Sequence, residues 1–216
     1  MVDVEWFGHA CFCVRGKTKT LMFDPFKGIG LPEPKVKADI VLCSHSHQDH
    51  NNTNPVRHEK SIVMEEFTGT KQIDGVSIRG VPVFHDESQG SERGRNSVYA
   101  VHFEDVAFCH LGDLGHGLSS SQVNEIGSTD VLFLPIGGFF TIDPDQAREV
   151  MESLKPKIAV PMHYRMPGMS AMFRPLKTVE DFVRSGDNVR RLDGATFTVT
   201  KVDLPEKRVI IVPRLR

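Results

Sequence analysis

No stretch of about 18 consecutive apolar residues occurs in this chain, so nothing in it reads as a membrane-spanning helix. Its start, Met1-Val2-Asp3-Val4-Glu5, has no basic segment ahead of an apolar one, so no secretory signal is expected. An excess of either charge is also missing. The 26 Lys and Arg against 28 Asp and Glu leave a formal net charge of −2, which gives no pull toward nucleic acid or an anionic membrane. Neither partner is expected. Cysteine is sparse and contains no C-x-x-C pair. Cys11, Cys13, Cys43 and Cys109 all lie in or beside strand-like apolar runs, which reads as buried thiols in a reducing, cytoplasmic setting, not as disulfides. There is no G-x-S-x-G to supply a serine nucleophile. No repeat, low-complexity tract or long linker divides the chain, so one domain over 1–216 is expected.

What the chain does have is Ser44-His45-Ser46-His47-Gln48-Asp49-His50. Three imidazoles and a carboxylate fall within six positions, directly after the apolar run Ala38-Asp39-Ile40-Val41-Leu42-Cys43, which reads as a short buried strand. Neutral imidazole and carboxylate are the donors favoured by zinc and neighbouring transition metals. A lone histidine is an ordinary structural residue. Three with an aspartate at the end of a strand are a metal-site pattern.

In chain order, strands are expected at 2–7, 11–15, 20–24, 39–43 and 61–64, with a short helix starting in Asn51-Asn52-Thr53-Asn54-Pro55. Asp74-Gly75 marks a hairpin leading into a strand over 76–84. A second hairpin joins 97–103 to 106–109. Ser119 and Gln122 form a capping-box pair ahead of a helix ending at Gly127. An apolar strand over 131–135 follows. Asp143, Pro144 and Gln146 then open a helix whose Ala147, Val150, Met151 and Leu154 share one face. Further strands are expected at 158–160, 196–200 and 208–212, and a helix at 178–185. Strands outnumber helices, and 39% hydrophobic residues with 14 Phe suffice for a sizeable core. A sheet-rich sandwich with helices on its outer faces is expected.

Four places end a strand with a metal-competent residue: the 45–50 cluster, then His85, Asp113 and His163. Five His and two Asp exceed what one closed tetrahedral site needs and suit two ions sharing a carboxylate.

The H-x-H-x-D-H run, the isolated His85, Asp113 in a Gly-Asp pair and the late His163 together resemble the metallo-β-lactamase superfamily, over about residues 5–163. Gly8-His9-Ala10, Asp24-Pro25 and Arg93-Gly94-x-Asn96 are most similar to the branch containing ascorbate-6-phosphate lactonases and related metal-dependent hydrolases. Many relatives carry a Gly within two residues of the first motif, where this chain has Asn51-Asn52. The resemblance implies an α+β fold, the αββα sandwich of the metallo-β-lactamase fold, with two mixed sheets and a dinuclear site at one edge. It places one ion on His45, His47 and His85 and the other on Asp49, His50 and His163, with Asp113 bridging. Two divalent ions are implied, zinc first, with manganese or iron(II) as alternatives. Diiron oxygen-reducing relatives carry Glu where this chain has His47, which favours hydrolysis over redox work.

The implied chemistry is attack by a metal-bound hydroxide on a small ester, lactone or phosphodiester, with Asp49 and Asp113 as the catalytic carboxylates. His9, Asp24, Arg93, His116 and Tyr164 are candidates for orienting ligands or meeting substrate. Arg165 is a further substrate candidate. His58, His102 and His110 are expected to serve structure or solvent. The Met-rich segment 166–173 is read as a packed loop, with a lid or a contact in a homo-oligomer as the alternatives. The competing function is a non-catalytic metal- or ligand-binding sensor on the same fold.

Overall fold

Alternation places the first strand. In β1 (Val2–Gly8), Val2, Val4 and Trp6 are buried while Asp3 is exposed, the period-two pattern of a strand with one face inward. β2 (Cys11–Arg15), β3 (Thr20–Phe23) and β4 (Ala38–Cys43) are buried on both faces almost throughout. These strands, with β5 (Arg57–Glu65) and the late β13 (Thr196–Val199), form a six-stranded sheet in the order β13-β1-β2-β3-β4-β5. The second sheet uses β6 (Gly69–Ile73), β7 (Val76–Phe84), β8 (Arg95–Phe103), β9 (Val106–His110), β10 (Val131–Pro135), β11 (Ile158–Met162), β12 (Val189–Arg191) and β14 (Val209–Val212). Its order is β12-β14-β11-β10-β9-β8-β7-β6. This computed structural model describes residues 1–215.

The alternation in β2, β3 and β4 splits their side chains between two clusters. Phe12, Val14, Leu21, Phe23, Ile40 and Leu42 join the core shared by the two sheets. Cys11, Cys13, Met22, Val41 and Cys43 point the other way, where Phe26, Ile29, Val56, Phe173 and Leu176 cover them from loops. Three helices accompany the other sheet. α1 (Ser120–Ile126) lies on β7 and β8, α2 (Pro144–Leu154) on β10, and α3 (Val179–Phe182) against α2. The expected sandwich of mixed sheets is therefore present. Its helical layer lies over the eight-stranded sheet, and loops do the covering on the far side of the six-stranded one. The four cysteines are free and buried, and burial pushes the Cys13 and Cys109 thiols up to about 12. No helix of the described residues is long and apolar enough to cross a membrane.

Strand direction determines what the fold can present. β1 is antiparallel to β2, β2 to β3, and β3 is parallel to β4, so β1, β3 and β4 run the same way. By the same reasoning β7, β9, β10 and β11 share one direction. Six of these strands are followed at once, or within three residues, by His9, Asp24, the 44–50 loop, His85, Asp113 and His163. Carboxyl ends of parallel strands are where open sheets place their sites.

Apart from shifts in strand ends, of which the early start of β5 at Arg57 is the largest, local expectations differ from the structure in four places. The helix expected from residue 51 does not form. Val56 and Arg57 amides both close on Thr53 O, making a single turn that runs directly into β5. Asn51 and Asn52 spend their side chains on the carbonyls of Ser46 and Phe26. The helix expected over 178–185 stops at Phe182, since Val183 is already extended and Asp187 accepts from Arg184 N and the Arg148 guanidinium. β12 is short and half-exposed, with no apolar alternation to mark it. Residues 171–173 form a 3-10 turn within the Met-rich segment, in which Phe173 is buried and Met172 is exposed.

Candidate metal centre

The seven donors picked from the sequence meet at one rim. The Asp113 carboxylate oxygen Oδ2 lies 3.1 Å from His163 Nε2, 3.2 Å from both His50 Nε2 and His85 Nε2, and 3.9 Å from His45 Nε2. His45, His47 and His85 form one set whose donor atoms all lie within 4.8 Å of one another. Asp49, His50 and His163 form another, and His9 belongs to it as well. A third set, His45, His50 and Asp113, sits between them. His45, His50, His85, Asp113 and His163 are buried, whereas His47 is exposed and Asp49 is partly so, which places the open side of the centre there.

The backbone is bent to aim these groups. At the end of β1 the register slips between Trp6 and Gly8, a bulge of the kind found beside active sites. Past it His9 has a left-handed backbone (φ 53°), as do Asp24 (φ 43°) and His163 (φ 53°). Non-glycine residues adopt this region uncommonly, and at three strand ends here the surroundings hold it. The His9 carbonyl accepts from Trp6 Nε1 (3.1 Å) and from His163 N (3.2 Å), tying the first and last of the three together.

A layer of acceptors orients the donors. Asp24, fully buried, accepts from Ser44 N and Ser44 Oγ (both 2.7 Å) and lies 2.8 Å from His50 Nδ1. This leaves His50 Nε2 facing the cluster, the usual arrangement behind a metal-ligating imidazole. Ser44 Oγ also lies 2.9 Å from His45 Nδ1. His9 Nε2 is 3.1 Å from Asp49 Oδ2. Asn96 Oδ1 accepts from Asp113 N (3.1 Å) while its amide donates to Leu111 O (2.8 Å). Gly112 allows this close approach. With φ 55°, a Cβ there would fall 2.3 Å from Asn96 Oδ1 and 2.4 Å from Ser44 Cβ. Sequence reasoning missed Ser44 and Asn96 as positioning residues, because a serine and an amide carry no metal-ligand signal of their own.

Burial is the largest influence on the His45 and His47 imidazoles and lowers both, His45 well below its usual value, with His50 adding at His45 and His85 at His47. These rings are neutral and have a lone pair to give. Burial works against the Asp113 carboxylate, but His163 and His50 outweigh it and hold it well below the usual carboxylate range. Asp49 is likewise held down by His50 and His9 against its burial. His50 goes the other way: burial opposes its charge, yet Asp113, Asp49 and Asp24 raise it well above the usual imidazole value. A divalent cation would compete for the same carboxylates and displace that proton.

The residues fit such a cation. His45 Nε2, His50 Nε2 and Asp113 Oδ1 are buried without a hydrogen-bond partner, and buried polar atoms are seldom left so. The two nitrogens lie 3.9 and 3.2 Å from Asp113 Oδ2, inside the cluster of imidazole and carboxylate donors described above.

The remaining candidates divide. His116 Nε2 accepts from Phe84 N (3.1 Å) and Nδ1 donates to Gly117 O (2.7 Å), so both ring nitrogens serve the backbone beside His85. Tyr164 is buried against Trp6 at 5.6 Å, because the residue after His163 faces away from the rim into the core. Arg165 is exposed and bonds Arg174 O. Arg93 lies on the wall of a cleft that begins at His85.

A family model described as the beta-lactamase superfamily domain matches residues 3–163. A crystal structure from Thermotoga maritima, assigned as a Zn-dependent hydrolase of the metallo-beta-lactamase superfamily, superposes with a TM-score of 0.84 at 36% identity, covering 100% of both chains. This chain belongs to the metallo-β-lactamase superfamily. Its relatives include a UPF0173 metal-dependent hydrolase of Thermoplasma volcanium, 34% identical across 76% of this chain and 83% of the relative. Another, from Thermococcus kodakarensis, is 35% identical across 76% and 85%. These relatives place the chain among the UPF0173 members of the superfamily, without singling out the ascorbate-6-phosphate lactonase-like branch.

Proposed function

We propose that this superfamily member is a hydrolase working with two divalent cations on a small ester, lactone or phosphodiester. The observation that carries the reading is the convergence of four imidazoles, His45, His50, His85 and His163, on Asp113, with His47 and Asp49 grouped beside them and with buried nitrogens and a carboxylate oxygen left unpaired. In this reading His45, His47 and His85 would hold one ion and Asp49, His50 and His163 the other, with Asp113 available to both sets. When bound there, divalent ions would lower the pKa of water and polarise the substrate's carbonyl or phosphoryl oxygen. Zinc suits the neutral imidazoles best, and manganese and iron(II) accept the same donors.

The chain's own residues supply the remainder. Asp49 is the one carboxylate of the cluster with solvent access, side chain 23% exposed, so it is placed to take a proton from an attacking water and pass it on. His9 holds it from behind at 3.1 Å. Asp24 and Ser44 fix the His50 and His45 rings, and Asn96 fixes Asp113. No side-chain nucleophile is required.

The test is turnover on matched phosphodiesters, lactones and carboxylic esters by the protein as purified, after chelation, and after re-addition of Zn2+, Mn2+ or Fe2+. Activity that chelation removes, that one of these ions restores, and that Asp49→Asn lowers by about a hundredfold or more is the expected result for loss of a general base. Activity indifferent to chelation would refute the reading.

A further inference from the structure

Next to the metal centre, a cleft of about 270 Å³ runs from His85 between two loops, 86–94 and 137–141, with Arg93, Phe139 and Phe140 on its walls. The first loop is built around one carboxylate. Asp86 accepts from the amides of Ser88 (2.8 Å), Gly90 (2.8 Å), Glu92 (3.1 Å) and Arg93 (2.8 Å). Four backbone donors on one side chain fix the loop's course and the base of Arg93. The other two acids of the cleft are also engaged. Glu87 accepts from Gln146 Nε2 (2.7 Å) and Glu92 from Ser88 Oγ (2.7 Å).

Arg93 is different. Among the described residues its guanidinium makes no hydrogen bond, and the nearest carboxylate, Glu92, is 4.0 Å away. Instead it lies over the Phe140 ring at 5.7 Å from the centroid. A stacked guanidinium keeps its in-plane N–H donors free for an oxyanion. Phe140 continues toward the metal centre, its ring 6.4 Å from that of His163. Phe139 packs edge-on against Phe140 at 4.7 Å, yet it is 60% exposed and has a left-handed backbone, φ 57°. A bulky residue held in that region and turned to solvent is costly, and such strain collects at binding sites.

We infer that this cleft is the subsite for the part of the substrate not cleaved, and that it takes a carboxylate or phosphate oxyanion at Arg93 borne on an apolar or aromatic group against Phe139 and Phe140. The inference rests on the hydrolase reading and narrows its substrate class to anionic molecules with an apolar body.

The probes are phenylacetate, phenyl phosphate and neutral phenylacetamide, titrated calorimetrically into wild type, Arg93→Gln, Arg93→Lys and Phe140→Leu at equal metal content. Both or one of the anions should bind wild type more tightly than the amide. Arg93→Gln should weaken that binding about tenfold or more, as loss of a charged hydrogen bond does, with phenylacetamide unchanged. Arg93→Lys should recover part of it, because it keeps the charge but not the fork. Phe140→Leu should weaken all three probes. Loss confined to phenyl phosphate would assign the anion as phosphate, and loss confined to phenylacetate as carboxylate. Anion binding that is unchanged in Arg93→Gln, or no tighter than that of the amide in wild type, would overturn the inference. Binding is read without turnover, so a protein that binds these anions through Arg93 but lacks metal-dependent activity would refute the hydrolase reading, and with it the cleft's role in a cleaved substrate, while leaving the oxyanion site at Arg93 standing.

Discussion

Asp24 accepts from Ser44 twice and contacts His50, all from a position with no exposure. Asparagine tolerates the left-handed backbone at this site, so Asp24→Asn changes the acceptor without forcing the turn. It removes the negative charge behind His50 and one of the two carboxylate oxygens. Metal affinity, measured by competition with a chromophoric chelator, is expected to fall about 10- to 100-fold, the usual effect of losing such a partner. Affinity equal to wild type would show that Asp24 only closes the β3 turn. At this scale the sequence was informative wherever chemistry is carried by residue type. The seven donors stand out as imidazoles and carboxylates after apolar runs, and they meet. Tyr164 and His116, candidates for meeting substrate or orienting a ligand, turn elsewhere, because a sequence does not show which way a ring turns. His9 and Asp24 came through as neighbours of the donors, but that both occupy left-handed backbone became visible only in three dimensions.

Helix α2 shows why some elements could be read directly. Asp143 accepts from the amides of Asp145 and Gln146, and Gln146 Oε1 accepts from Asp143 N in return. Behind this cap Ala147, Val150, Met151 and Leu154 are buried on one side. Replacing Asp143 with Ala should cost about 1 kcal/mol in denaturant unfolding, without changing metal content. The Ser119–Gln122 box and the Asp74–Gly75 hairpin were legible for the same reason: their signals are local and complete within a few residues. The stretch after His50 was not. Its asparagines look like helix starters, and only the carbonyls of Ser46 and Phe26, brought close by the folded loop, show where their side chains go. The short β12 is set by pairing to β14, a partner some twenty residues later, and carries no alternation that would reveal it.

For the whole molecule, the two sheets share one core, and His110 lies inside it. Its ring is stacked on Phe23 at 5.1 Å and lies near Phe12 and Phe133. Nε2 donates to Ala10 O (2.8 Å) in the turn joining β1 to β2, while Nδ1 accepts from Gly112 N (3.1 Å) beside Asp113. The ring thus spans the sandwich just beneath the metal centre. Burial lowers its pKa from 6.5, against the partial compensation of Asp24. The unfolded chain therefore binds a proton at His110 that the folded chain refuses. The stability this provides is complete above pH 6.5 and is lost progressively as pH falls below it toward the lowered value. Denaturant unfolding should show stability falling from pH 7 to pH 5. His110→Gln should remove up to about 1.4 kcal/mol per pH unit, one proton's share, from that slope. An unchanged slope in the variant would contradict the assignment.

The sandwich brings parallel strand ends from both sheets to one rim, and the proposed hydrolase depends on that rim holding two cations. Metal content by elemental analysis, on protein purified without chelators, tests this most directly when paired with the His45→Ala/Asp113→Ala double variant. About two equivalents per chain, as a dinuclear site requires, lost in a variant that keeps its circular dichroism spectrum, is the expected result. Less than about half an equivalent, unchanged in the variant, would contradict the dinuclear centre and bring forward a ligand-binding role for the same fold.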